Sequence, residues 1–67
     1  MADFHRTSYD DFTPVSLVRP IDVDGVHMPA GARGVIMAAW ADGLAYEVEF
    51  EEPRHVLLTV EAKDLTA

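Results

Sequence analysis

Residues 44–51 alternate between apolar and polar side chains with a period of two. Successive side chains of a β-strand point to opposite faces, so a strand separates the two sets whereas a helix would mix them. The alternation predicts a strand with one face in a core and the other in solvent. The apolar set is Leu44, Tyr46, Val48 and Phe50, and the opposite set is Ala45, Glu47, Glu49 and Glu51.

Three further segments are predicted as strands. Residues 14–19 alternate between apolar and polar side chains, residues 35–40 are almost wholly apolar, and residues 55–60 place Val56, Leu58 and Val60 on one face. The dipeptide Asp42-Gly43 between two apolar runs is a strong hairpin signal. Residues 61–65 predict a short turn that ends in an anchoring Leu65.

Residues 20–34 contain two prolines and three glycines, which predicts a long ordered loop rather than a helix. Residues 1–12 are polar with scattered aromatics, and we interpret them as an N-terminal arm. The arm is either docked through Phe4, Tyr9 and Phe12 or frayed. The fold predicted for residues 13–67 is all-β, a small SH3-like barrel of about five strands with a long first loop.

The predicted strand at residues 35–40 is apolar on both faces, although a small barrel can bury only one of them. If Ile36 and Ala38 point inward, Trp40 lies inward or at the barrel mouth, and a bulge near Ala38–Ala39 would change that assignment. In either case a small barrel cannot bury both faces of this strand, so some large apolar side chains are exposed, and exposed apolar patches typically mark interfaces. The predicted interface consists of Val35, Met37, Trp40, Leu57, Glu47 and Glu49.

Composition limits the possible partners. The chain has 67 residues, no cysteine and a formal net charge of −7, from twelve acidic and five basic side chains. Disulfides and thiolate zinc sites are therefore excluded, and phosphate backbones are repelled, so we expect no nucleic-acid partner. The chain shows no run of about 20 apolar residues and no signal-peptide pattern. We expect a cytoplasmic protein without a membrane partner.

The chain also lacks a recognisable catalytic or metal motif. His5, His27 and His55 have no metal-ligand spacing, and the start Asp22-Val23-Asp24-Gly25 of a calcium loop has Arg33 where glutamate is needed. We expect no enzyme activity, no metal and no cofactor. One alternative is a metal- or ligand-binding protein that uses Glu47, Glu49 and Asp22 with His27 or His55. Another is an RNA-binding small barrel.

The region from Val15 to Leu65 resembles an uncharacterised bacterial family, domain of unknown function 4926. The resemblance is carried by Val15-Ser16-Leu17, Gly31-Ala32-Arg33-Gly34-Val35-Ile36, Ala45-Tyr46-Glu47-Val48-Glu49-Phe50 and Val56-Leu57-Leu58-Thr59-Val60 with Asp64-Leu65. The third hairpin, Glu51-Glu52-Pro53-Arg54, is shorter than the family pattern, and the arm lies outside it. The resemblance implies an SH3-like barrel and, by association only, an antitoxin-like role.

Together these features predict a non-catalytic interaction module. Its partner would be another protein, including a second copy of itself, and it would act as a self-associating domain or an accessory subunit. The competing interpretation is that the N-terminal arm covers the apolar patch, and an arm exchanged between subunits would combine the two.

Overall fold

The computed structural model describes residues 9–67, and this part of the chain is all-β, as predicted. Two short 3₁₀ turns, Ala41–Gly43 and Ala62–Asp64, interrupt the strands. No helix among the described residues is long and apolar enough to span a membrane. The strands are β1 (Pro14–Leu17), β2 (Ile21–Val23), β3 (Val26–Met28), β4 (Arg33–Trp40), β5 (Ala45–Phe50), β6 (Val56–Glu61) and β7 (Leu65–Thr66).

The strands form a five-stranded antiparallel sheet and a separate two-stranded hairpin. The order in the large sheet is β6-β5-β4-β1-β7, so the three longest strands are neighbours and β1 joins them to the end of the chain. Strands β2 and β3 pair with each other. The arrangement establishes the fold class, while the SH3-like barrel stays a prediction.

The interpretation of residues 20–34 as a loop is wrong in its centre, where β2 and β3 form a hairpin. Asp24 and Gly25 make the turn, with φ values of 53° and 78°. Positive φ at both central residues suits the right-handed twist of the two strands, which is why Asp-Gly favours such turns. The same dipeptide predicts a hairpin at Asp42-Gly43, but at Asp24-Gly25 the surrounding prolines and glycines obscure the signal.

This hairpin covers the inner face of the large sheet. Met28 of β3 is fully buried, while Ile21, Val23 and Val26 are partly buried against the core. A sheet with one apolar face must bury that face against another layer, and a chain this short supplies the layer from its own first loop. The buried core consists of Val15, Leu17, Met28, Ile36, Tyr46, Val48, Phe50, Leu58, Val60 and Leu65.

The alternation in β5 is confirmed for Tyr46, Val48 and Phe50, which are buried, but it is wrong for Leu44, which is 69% exposed. The last β4–β5 pair is Trp40 with Ala45, so the connection has four residues rather than two. Ala41, Asp42 and Gly43 all have positive φ. Leu44 therefore belongs to the turn and leaves the core face.

The part of the N-terminal arm that the structure describes is docked. The Phe12 amide donates to the Ile36 carbonyl, and the Ile36 amide donates to the Thr13 carbonyl. The ring of Tyr9 lies 5.3 Å from that of Tyr46, whose hydroxyl accepts the Tyr9 amide at 3.0 Å. Phe12 is exposed, and Phe4 lies outside the described residues.

The predicted turn at residues 61–65 is confirmed, with Leu65 buried at its end. Beyond the prediction, Leu65 opens β7, which pairs with β1. The Val18 amide donates to the Asp64 carbonyl at 2.9 Å, and Arg19 Nη1 lies 3.2 Å from Asp64 Oδ1. That second contact is an ion pair without hydrogen-bond alignment, since Oδ1 has no hydrogen-bond partner. These contacts attach the end of the described chain to β1.

The same substitution at two leucines tests the placement of the core. Leu58 is 4% exposed and Leu44 is 69% exposed. We expect Leu58→Ala to lower the free energy of unfolding by about 2–5 kcal/mol, because it removes buried methyl groups and leaves a cavity. We expect Leu44→Ala to change it by about 0.5 kcal/mol or less. Urea denaturation measures both, and equal losses would contradict this core.

Candidate binding surface

The candidate surface is the side of β4, β5 and β6 that faces away from the core, here called the outer face. Residues paired across antiparallel strands share a face, so the register assigns its members. Val35 pairs with Glu49, and Glu49 pairs with Leu57, which makes one row across three strands. The outer face consists of Val35, Met37, Ala38, Trp40, Ala45, Glu47, Glu49, Leu57, Thr59 and Glu61.

A β-bulge at Met37 determines which residues of β4 reach this face. Ile36 pairs with the buried Val48, but the next pair is Ala38 with Glu47, so Met37 is the extra residue. An extra residue reverses the alternation beyond it. Ala38 and Trp40 consequently lie on the outer face. Of the two arrangements considered for this strand, the one with a bulge is present, one residue before Ala38–Ala39.

Three large apolar side chains are exposed on the outer face. The exposed fractions are 36% for Met37, 54% for Trp40 and 56% for Leu57, while Val35 is half-buried. The arm does not cover them within the described residues, because Tyr9 packs on Tyr46 of the inner face. All six residues predicted for the interface thus occupy one continuous face of three adjacent strands.

Glu47 connects these three strands through a single carboxylate oxygen. Trp40 Nε1 donates to Glu47 Oε2 at 2.8 Å, and Thr59 Oγ1 donates to the same oxygen at 2.9 Å. The indole is therefore held against the sheet although it is largely exposed. Sequence reasoning missed Thr59, yet its place opposite Glu47 follows from the β5–β6 pairing.

A second polar group lies at the end of β5. His55 Nε2 is 2.6 Å from Glu49 Oε2 and 3.8 Å from Glu51 Oε2. The hydrogen bond to Glu49 and the negative charge of Glu51 raise the pKa of His55 above its ordinary value of 6.5. Atoms of the three side chains that could ligate a metal lie within 4.8 Å of one another, but all three are at the surface, and their ion pairing accounts for the arrangement.

The metal alternative combines Glu47, Glu49 and Asp22 with His27 or His55, and the structure brings only part of this set together. Asp22 and His27 are paired across the β2–β3 hairpin, with 3.0 Å between Asp22 Oδ1 and His27 Nδ1. Of the residues considered, the described structure brings Glu49 and His55 together and adds Glu51. The sequence signal was the spacing of Glu49 and Glu51 on one strand face, with a short turn returning the chain to His55.

Comparisons with protein families, with curated proteins and with solved structures found no match. The resemblance to domain of unknown function 4926 therefore stays a prediction. The geometry of the outer face carries the functional argument by itself.

The contacts of His55 predict how it titrates. Its pKa is raised above 6.5, so the stabilisation that its ion pairs supply is complete below pH 6.5 and is lost as the pH rises through the higher folded pKa. We expect Glu49→Gln to lower this pKa most, because the hydrogen bond to Glu49 is the largest cause, and Glu51→Gln to lower it less.

Imidazole NMR signals followed against pH measure both effects. Asp22→Asn is the matched control, since Asp22 contacts His27 instead, and it should leave the His55 titration unchanged. A wild-type pKa at or below 6.5, or no decrease in Glu49→Gln, would contradict the arrangement.

Proposed function

We propose that this chain is a non-catalytic protein-binding module whose outer face binds another protein or a second copy of the chain. The observation that supports this most is the exposure of Met37, Trp40 and Leu57 on one face of β4–β6. Single exposed apolar residues are ordinary on small proteins, but neighbouring large ones mark contact surfaces.

The outer face supplies part of the energy that a complex needs. Full burial of a large apolar side chain contributes roughly 1.5–3 kcal/mol, and because these three are 36%, 54% and 56% exposed, covering them supplies about 2–4 kcal/mol before the costs of association. Tryptophan and other rigid anchors commonly dominate such interfaces. Trp40 fits this role because its bond to Glu47 holds the indole in position, which reduces the entropy lost on binding.

The polar part of the outer face favours a protein over a nucleic acid. Glu47, Glu49 and Glu61 are interleaved with the apolar side chains. Lys63 Nζ lies 3.3 Å from Glu61 Oε1 and balances one of these charges. Carboxylates in these positions repel phosphate groups and fit donors or basic side chains of a protein. RNA binding and metal binding stay alternatives with less support.

An accessory or antitoxin-like subunit is one form of this function. Such a role needs a small domain that covers a surface of a larger protein, and an acidic chain is steered towards a basic partner. The absence of cysteine and the acidic composition are consistent with the cytoplasm as its location.

A charge placed on the outer face tests the proposal. Leu57→Lys should abolish binding, because it replaces an apolar contact of the complex with an ammonium that must lose its water there. In the free chain, position 57 stays in solvent in both the folded and the unfolded state. Val18→Lys is the matched control, since Val18 is 46% exposed but lies after β1, away from the outer face. Neither change should alter the free energy of unfolding by more than about 0.5 kcal/mol.

Two measurements detect the complex. Light scattering over a concentration series detects self-association, and affinity capture from the source cell detects a different partner. We expect wild type and Val18→Lys to form the same complex and Leu57→Lys to lose it. The proposal is wrong if wild type stays monomeric and captures no protein that Leu57→Lys fails to capture.

A further inference from the structure

A concave surface lies at the end of the sheet, apart from most of the outer face. It is a groove of about 680 Å³ between the turn that leads into β4 and the turn that follows β5, here called the end groove. Its apolar lining, here called the floor, includes Pro14, Pro29 and Val35, and its acidic lining, here called the wall, consists of Glu49, Glu51 and Glu52. Volumes of several hundred Å³ are typical of sites that hold a ligand or a short peptide segment.

The turn on one side of the end groove is firmly held. The Gly31 amide donates to the Leu17 carbonyl at 2.8 Å, and the Leu17 amide donates to the Ala32 carbonyl at 2.9 Å. At the start of β4, any residue larger than glycine at position 34 would place its Cβ 2.6 Å from Val48 Cγ1 and 2.9 Å from the Glu49 carbonyl oxygen. Only glycine lets β4 approach β5 so closely. The groove is therefore preformed, which lowers the cost of binding.

The charged side chains that line the end groove indicate the charge that its ligand should carry. Three carboxylates line it against one guanidinium, that of Arg33. The Glu49 carboxylate already pairs with His55, and Glu51 Oε2 lies 3.8 Å from Nε2 of the same imidazole. Within residues 9–67, no basic group forms an ion pair with Glu52. A carboxylate that is exposed and unpaired beside an apolar floor is placed to receive a cation.

We propose that the end groove binds a short extended segment of another protein in which an apolar residue is flanked by lysine or arginine. The apolar floor takes the apolar side chain, and the carboxylates of the wall take the flanking cations. The net charge of −7 also draws a basic segment towards this chain. No aromatic ring lines the groove among the described residues, so proline-rich recognition on aromatic surfaces is not the mode expected.

This site does not depend on the proposed function of the outer face. The two surfaces share only Val35 and Glu49, and Leu57 and Trp40 do not line the groove. A Trp40→Ala variant removes an outer-face side chain whose cross-strand partner, Ala45, does not line the groove, so it should keep the groove intact. Its behaviour separates failure of this inference from failure of the proposal for the outer face.

Four defined probes test the site on the full chain by NMR titration. The first is a capped peptide of two lysines, a leucine and two lysines. In the second, serine replaces the leucine, and in the third, glutamate replaces the lysines. The fourth is lysine amide, a small free amine. We expect the first peptide to shift the amide signals of Gly31, Gly34 and Glu52 saturably, and the others to bind at least about tenfold more weakly, since each lacks one half of the recognition.

Variants locate the binding. Glu52→Gln should weaken the first peptide about 2- to 5-fold, which is the usual size of one exposed ion pair. Ala30→Arg should abolish the saturable shifts, because Ala30 is an exposed lining residue and arginine there adds bulk and positive charge. Asp24→Asn removes the same charge as Glu52→Gln, but in the β2–β3 turn, and should leave binding unchanged.

Several results would overturn the inference. No saturable shift at the groove residues would remove the site. Equal weakening by Asp24→Asn and Glu52→Gln would mean general charge attraction, and equal binding of the serine peptide would mean that the floor takes no apolar side chain. Lysine amide binding as tightly as the first peptide would make the site one for small amines.

Discussion

The extra residue at Met37 in β4 determines what each side of the sheet contains. Up to Ile36 the strand directs Gly34 and Ile36 to the core, and beyond the bulge Ala38 and Trp40 pair with outer-face residues of β5. Without the bulge, Trp40 would share the inner face with Tyr46, where the hairpin β2–β3 already closes the core. The bulge thus keeps a large indole out of a small core and places it on the outer face, where it bonds Glu47.

Much of the sheet could be predicted because its strands carry simple patterns. Tyr46, Val48 and Phe50 are buried as their alternation indicates, and Leu58 and Val60 follow the same rule. Strand β4 is different, because nearly all its residues are apolar and each possible register buries apolar side chains. The bulge is chosen by packing against β5, so composition within residues 35–40 could not reveal it.

The other differences between prediction and structure lie at turns, where the backbone conformation outweighs the alternation of apolar and polar residues. Leu44 continues the alternation of β5, yet the positive φ values at Ala41, Asp42 and Gly43 extend the turn and exclude it from the strand. The β2–β3 hairpin was hidden by prolines and glycines that flank it rather than interrupt it. The outer face could be anticipated because it is made of strand residues, whereas the end groove depends on two turns that only the tertiary structure brings together.

Trp40 is the only tryptophan in the chain, so its fluorescence reports directly on the outer face. The central claim is that this face is open to solvent in the single folded chain and is available to a partner. The most direct measurement is tryptophan emission with acrylamide quenching, at a concentration where light scattering shows a monomer. Because the indole is 54% exposed, we expect emission at longer wavelength than that of a buried tryptophan and ready quenching by acrylamide. A strongly blue-shifted emission, protected from acrylamide in the monomer, would contradict it.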